Sequence, residues 1–303
     1  MQQQMCFLGQ EKVFEGASEC FLRLSGLSVD AKQIERVCHY YGQLLEDNQQ
    51  KLISEGGKDK KVVHRDRCYT MLDGGVLLTR EEKWKEMKLA RLFDSSQAIN
   101  ISKDRGYIAN STYIAHLGNH KKFLKKVEYH VDTMAKVVFI ADGAKWIWKW
   151  VEAMYPEATQ ILDFYHAKEH LCQWVGLAIK DEVDKQKWID EQAFLLLNNK
   201  VGRVMNNIVQ LKVYTPNARK NRKTLLSYYT THRSRMNYKT YRENNLMIGS
   251  GPIEAAHRNV IQQRLKLSGQ RWTISGAQQI ANLRVAHKSK LWYKVVELTK
   301  LAA

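Results

Sequence analysis

Three acidic residues stand out by type and setting in this chain of 303 residues. Asp73 ends the run YTMLD and is followed by Gly74-Gly75. Asp142 stands immediately past the apolar run VVFIA. Glu254 follows Gly251-Pro252-Ile253, and with Glu243 it is one of two acids among eighteen Lys and Arg between Val201 and Val296. Carboxylates are hard oxygen ligands. Three of them, brought together, would hold two divalent ions against a phosphodiester, one ion activating the attacking oxygen and the other stabilising the leaving one.

Each acid also has a local explanation. Asp73-Gly74 reads as a hairpin turn, or, because VLLT continues the strand, as a bulge that turns the carboxylate inward. Asp142 reads as a cap for a helix starting near Lys145, or as an acid at the C-terminal edge of a sheet, where open α/β folds bind ligands. Glu254 falls at the third helical position if Gly251 is the cap. There the helix dipole and a capping box both favour glutamate.

The elements that would carry these acids follow from apolar periodicity. Residues 10–54 read as two helices, with Leu27, Val29, Ile34, Val37, Tyr41 and Leu44 recurring at three- and four-residue steps after Ser25-Gly26. That pair is compatible with a helix-turn-helix and equally with an ordinary hairpin. SEGGKDKK (54–61) reads as a linker. Residues 68–79, 84–93 and 106–115 read as strands, 117–131 as a helix, and 136–141 as a buried strand. A helix over 145–156 would place Trp146, Trp150, Val151 and Met154 on one face, and TQILDFY (159–165) reads as a further strand. The stretch 169–245 lacks strand-like alternation. The expected fold is therefore mixed α+β: a mixed sheet with flanking helices, an N-terminal helical unit (1–60), a catalytic core (65–168 and 246–303) and a basic helical insertion (169–245).

Charge points to the partner. Residues 201–296 hold eighteen cations against two acids, +16 of the chain's net +17. A basic region this concentrated is the footprint of a polyanion binder. Between Lys200 and Arg242 there are eleven basic residues and no acid, interleaved with Tyr214, Tyr228, Tyr229, Tyr238 and Tyr241. Cations neutralise phosphates and aromatic rings stack on exposed bases. The expected nucleic-acid contacts are Arg219, Lys220, Arg222, Lys223, Arg233, Arg235, Arg258, Arg264, Lys266 and Arg271. Five widely spaced cysteines without a C-x-x-C pair argue against a zinc ribbon or a disulfide framework and for a reducing, intracellular setting. No apolar run reaches membrane-spanning length and no signal peptide precedes the first helix, so neither membrane nor secretion is expected.

Taken together, YTMLDGGVLLTREEKWKEMKLARLF, VVFIADGAKWIWKWVEAMYPEATQILDFYHAKEHL and GSGPIEAAHRNVIQQRLKLSGQRWTISGAQQIANLR resemble the catalytic core of DDE transposases. The likeness is to the Mutator-like group and the related bacterial insertion-sequence transposases, and it runs from about residue 65 to residue 290. D-G-A after an apolar strand, D-x-x-H on the next, and G-P-I-E opening a late helix occur in the family's order.

The resemblance implies an RNase H-like fold, with Asp73, Asp142 and Glu254 as catalytic residues and ligands of two Mg2+ (or Mn2+). Asp163 and His166 would shape the site, and Trp272 would pack. It further implies double-stranded DNA as partner (terminal inverted repeats and target), a homo-oligomer on DNA, and a bacterial cytoplasm, at the nucleoid. The family's chains often carry more sequence before the core, which leaves room for a shortened, catalytically inactive DNA-binding copy. His166-Ala167-Lys168-Glu169-His170 also spells the H-x-x-E-H of inverted zinc peptidases, with Glu254 as a distant third ligand.

Overall fold

The computed structural model describes residues 1–55, 64–102 and 105–301. Three helices open the chain: α1 (Gln2–Glu11), α2 (Phe14–Ser25) and α3 (Ala31–Glu55). Strands β1 (His64–Thr79) and β2 (Lys83–Asp94) follow, then β3 (Ala98–Ser102), β4 (Arg105–Ile108), β5 (Thr112–Leu117) and helix α4 (His120–Val131). Next come β6 (Met134–Ala141), α5 (Lys145–Met154) and β7 (Thr159–Leu162). A run of helices succeeds them: α6 (Phe164–Ala178), α7 (Glu182–Leu197), α8 (Val201–Gln210), α9 (Pro216–His232) and α10 (Tyr238–Glu243). The chain closes with α11 (Gly251–Ala256), a π-helical turn (His257–Gln262), α12 (Gln263–Leu265), α13 (Ile274–Lys288) and α14 (Tyr293–Leu301).

The main sheet has the order β5-β2-β1-β6-β7. Counted along the chain within that sheet, this is 3-2-1-4-5: an antiparallel meander, then strands joined by helical crossovers. It is the mixed RNase H-like sheet that the sequence leads one to expect. The chain forms two compact units, Met1–Val137 with Pro252–Ala303, and Val138–Gly251.

In the first unit, β1 and β2 pair antiparallel in unbroken register from Cys68↔Asp94 to Thr79↔Lys83, and β2 pairs antiparallel with β5. Residues 68–72 and 87–93 are buried at consecutive positions, so both faces of this part of the meander are covered. Against it lies α13, whose Gln278 side chain accepts from Leu117 N at 2.8 Å. Helix α3 packs on α13 so closely that a Cβ on Gly42 would overlap the Gln279 carbonyl. Asn282 of α13 donates to the Gly42 carbonyl (3.0 Å) and to Glu46 (3.1 Å), and Glu46 forms a buried ion pair with Lys126 of α4 at 2.6 Å.

In the second unit, β6 and β7 run parallel, joined by α5. Parallel strands need such a crossover. The long helical stretch that follows contains the buried tryptophan Trp174, whose indole donates to the Ala218 carbonyl at 3.1 Å and ties α6 to α9.

Several expectations change in detail. The N-terminal region holds three helices, and α3 starts at Ala31, so Leu27 lies outside it and is exposed. The expected strand at 106–115 is divided. Residues 105–108 pair with β3 in a separate two-stranded ribbon, while β5 joins the main sheet. The buried residues of α5 are Ile147, Trp148, Trp150 and Val151, and Met154, in its last turn, is exposed. Strand β7 ends at Leu162 because Asp163 caps α6. Most of the expected linker, from residue 56 on, falls outside the described residues.

Candidate active site

In the first unit, Asp73 lies in the middle of β1 opposite Leu89, and the register passes through Gly74-Gly75 without interruption. The strand has neither a bulge there nor a D-G hairpin. The reversal comes at residues 80–82, where Lys83 takes a positive φ of 57°. The glycines serve a different purpose: a Cβ on Gly75 would press the His257 ring at 3.2 Å from Nδ1, so glycine lets that ring lie against the strand. Asp73 Oδ1 accepts from Gly74 N at 2.7 Å. Its Oδ2 stands 3.7 Å from His257 Nε2, beyond hydrogen-bond length. The His257 side chain is 5% exposed, and its Nε2 is buried without a hydrogen-bond partner among the described residues.

His257 was not singled out from sequence, although a signal existed. Glu254 and His257 form E-x-x-H, and residues three apart on a helix are neighbours. Here the helix changes to a π turn at His257. Such a turn displaces backbone carbonyls from their usual partners, and buried Arg284 supplies new ones, donating to the carbonyls of Asn259 and Val260. Arg284 also donates to the Gln10 carbonyl at 2.7 Å.

Glu254 is exposed on the first turn of α11. The helix begins at Gly251, so Glu254 stands fourth, one place later than expected. Among the described residues no hydrogen bond or ion pair holds its carboxylate, so the capping box is not formed. Arg91 of β2 fixes the start of this helix through a 2.9 Å bond from Nη1 to the Pro252 carbonyl.

In the second unit, Asp142 lies directly past β6 and is half-buried. Its Oδ1 accepts from Ala144 N at 2.9 Å, and its carbonyl accepts from the Trp148 indole at 2.6 Å. The N-cap residue of α5 is Ala144, so Asp142 shapes the turn into the helix without occupying the cap position. The Tyr228 ring of α9 packs on Gly143 so tightly that any Cβ there would overlap it. The Tyr228 ring packs at a tilt against those of His170 (4.5 Å, 51°) and His232 (4.8 Å, 58°). Its hydroxyl is buried without a hydrogen-bond partner among the described residues. Burial, then the negative charges of Asp142 and Asp163, hold the phenol well above its usual pKa. The group is thus a neutral donor beside two acids.

Asp163 is fully buried. Its Oδ1 caps α6 by accepting from His166 N at 2.9 Å, and its Oδ2 accepts from Ser250 N, the residue just before α11. The spacing D-x-x-H is therefore that of a cap and the third helical residue. In these contacts Asp163 acts as a brace between two chain segments, while the His166 imidazole pairs with Glu169 at 3.5 Å. His166 and His170 do share one helix, yet His170 packs on Tyr228. Among the described residues no group of three or more His, Cys, Asp or Glu is placed to hold a metal ion.

The basic residues divide. Arg219, Lys220, Lys223, Arg233, Arg258, Lys266 and Arg271 are exposed. Arg222 is half-buried and donates to the Val209 and Leu211 carbonyls at the end of α8. Arg235 and Arg264 differ from these in being buried. Arg235 pairs with Glu152 and lies 4.5 Å over the Trp148 ring, and Arg264 lies between the Phe14 and Trp272 rings. Of the five tyrosines, Tyr214 is exposed, whereas Tyr229, Tyr238 and Tyr241 are core and Tyr228 belongs to the Asp142 cluster. Trp272 is buried packing, as expected, and donates to the Leu265 carbonyl at 3.0 Å.

No protein-family model matches the chain, and no curated protein matches it in sequence. Among solved structures, the Drosophila P element transposase strand transfer complex is similar to it at a TM-score of 0.40 and 8% identity, over 96% of this chain and 92% of that one. No helix among the described residues is long and apolar enough to cross a membrane.

Proposed function

We propose that this chain is a DDE-type transposase of a mobile DNA element. In this reading Asp73, Asp142 and Glu254 hold two Mg2+ (or Mn2+). Bound there, such ions supply an activated oxygen nucleophile and stabilise the leaving oxygen. Cleavage at the element's terminal repeats would leave a 3′-hydroxyl, which would then attack target DNA. Both steps are phosphoryl transfers, so one set of acids serves both.

The observation that carries the reading is where the acids lie: Asp73 within β1, Asp142 directly past β6, and Glu254 on the first turn of α11 with its carboxylate uncommitted. Carboxylate oxygens are the donors that a hard divalent ion takes, and Asp73 faces a buried nitrogen without a hydrogen-bond partner among the described residues. Arg91 and Asp163 are positioning residues in this account, one fixing the Pro252 carbonyl and the other the Ser250 amide on either side of the helix start. The exposed cations of α9 and the 258–271 stretch would take the DNA backbone, and synapsis of two ends would require more than one protomer.

The test is incubation of the purified protein with Mg2+ and linear DNA carrying the element's ends. Nicks at the ends and joined products are expected. If the protein binds those ends but neither nicks nor joins them, the chain is a DNA-binding protein without catalysis.

A further inference from the structure

The first unit holds a second concentration of uncommitted donors, away from the acids. A cleft of about 330 Å3 is lined by residues of α2, the start of α3, and the loop joining α12 to α13. Arg264 lines it and is 1% exposed. Its guanidinium is held between two rings, 4.8 Å from the centre of Phe14 and 4.9 Å from that of Trp272, and its Nε donates to the Gly9 carbonyl at 2.9 Å. Its Nη2 is buried with no hydrogen-bond partner among the described residues, and Nε2 of His39, which also lines the cleft, is in the same condition. A buried donor left unpaired costs about 1–3 kcal/mol, more when charged. The buried, unpaired Arg264 donor calls for an acceptor that brings negative charge with it.

The remaining lining supports an anion. Arg80 and Arg271 are exposed, and among the described residues neither side chain makes a hydrogen bond or ion pair. Lys32 is committed to Glu35 at 3.0 Å, and Glu15 is the cleft's other acid, so its cations outnumber its acids by two. Burial lowers Arg264 to a pKa of about 10, so the guanidinium is still charged at neutral pH.

We infer that this cleft binds a phosphate group. Four nitrogen-bearing side chains (Arg80, Arg264, Arg271 and His39), three of them guanidiniums whose forked donors match phosphate oxygens, suit the three or four oxygens of a phosphate. The aromatic sandwich restricts the Arg264 rotamers, so little is lost in ordering it on binding. The phosphate belongs either to a free phosphomonoester or to a DNA backbone, and the inference is independent of the catalytic reading.

The probes are inorganic phosphate and a duplex of arbitrary sequence. Phosphate titration followed by the imidazole NMR signals should perturb His39, and the Arg80→Ala/Arg271→Ala pair should weaken this binding at least about tenfold. These two residues are exposed, so folding should survive, with circular dichroism as the check. If the ligand is backbone, the pair also weakens duplex binding and lowers its salt slope by about 1–2, one per lost phosphate contact. If it is a free phosphomonoester, the pair weakens duplex binding no more than Arg271→Ala alone, because Arg271 already counts among the DNA-backbone contacts proposed above. Absence of phosphate binding, or binding that the pair leaves intact, overturns the inference.

Discussion

Asp73 and Asp142 are both acids on or just past a strand, and their surroundings differ in kind. Asp73 sits inside a continuous antiparallel ladder, and its neighbour is one histidine carried on a π turn almost two hundred residues later in the chain. Asp142 sits where a parallel strand ends, and its neighbours are an indole and the packed rings of His170, Tyr228 and His232 from the helical stretch. Each acid nonetheless has a buried polar atom close by without a hydrogen-bond partner among the described residues: His257 Nε2 near one, the Tyr228 hydroxyl near the other. Stability alone would eliminate such groups, since pairing them or replacing them with carbon is favourable. Their persistence beside the acids is what a site for an incoming ligand would produce, by two different structural routes.

The comparison can be broken first at His257. If its nitrogen supports whatever Asp73 binds, His257→Gln should lower divalent-metal affinity by about 10–100-fold, the usual scale for a group next to a metal ligand. Calorimetric titration with Mn2+ in the presence of duplex DNA measures it, and an unchanged affinity would reduce His257 to packing.

The next effect concerns pH and the Asp142 side. Burial, then the adjacent Arg235 guanidinium, push the His232 pKa from 6.5 down to about 4. Between those values the unfolded chain binds the extra proton, so stability falls as pH drops, by up to about 1.4 kcal/mol per pH unit. Stability is fully present above the unfolded value. His116 in the first unit is lowered to a similar pKa by burial and Lys126. His39, His170 and His287 are lowered as well, chiefly by burial, so His232→Phe should remove only part of the acid slope, read from urea denaturation at about pH 7 and about pH 5. An unaltered slope would mean that His232 titrates normally.

The smallest effect sharpens the comparison most. Tyr228→Phe removes a hydroxyl with no hydrogen-bond partner among the described residues. It should raise stability by about 1 kcal/mol while lowering the rate of end cleavage. A loss of stability instead would show that the phenol is structurally bonded and has no ligand to meet.

Much of the fold was legible because it follows from burial patterns with simple periods. The strand-like runs at 68–79 and 84–93 and the apolar run before Asp142 locate the meander and the parallel strand to within a few residues. The strand at 106–115 was misread because Asn110 and Ser111 interrupt a pattern that apolar residues alone make look continuous. The basic count was sound as a sum and weak as a map. Arg235, Arg264 and Arg284 are cations by composition, yet aromatic rings and backbone carbonyls hold them inside, which no charge count detects. The elements that carry the three acids were legible: a strand for Asp73, a strand end for Asp142 and a helix start for Glu254. The E-x-x-H spacing is a signal for His257, but what sets His257 and Tyr228 apart, an atom without a hydrogen-bond partner among the described residues, is a property of tertiary packing.

The central claim is that Asp73, Asp142 and Glu254 act together on the same divalent ions. It is tested most directly by Mn2+ binding to the protein on duplex DNA, comparing wild type with Asp73→Asn, Asp142→Asn and Glu254→Gln. The account expects the wild type to bind two ions and each substitution to remove at least one, with folding and DNA binding intact. Equal Mn2+ binding in all four proteins would contradict it.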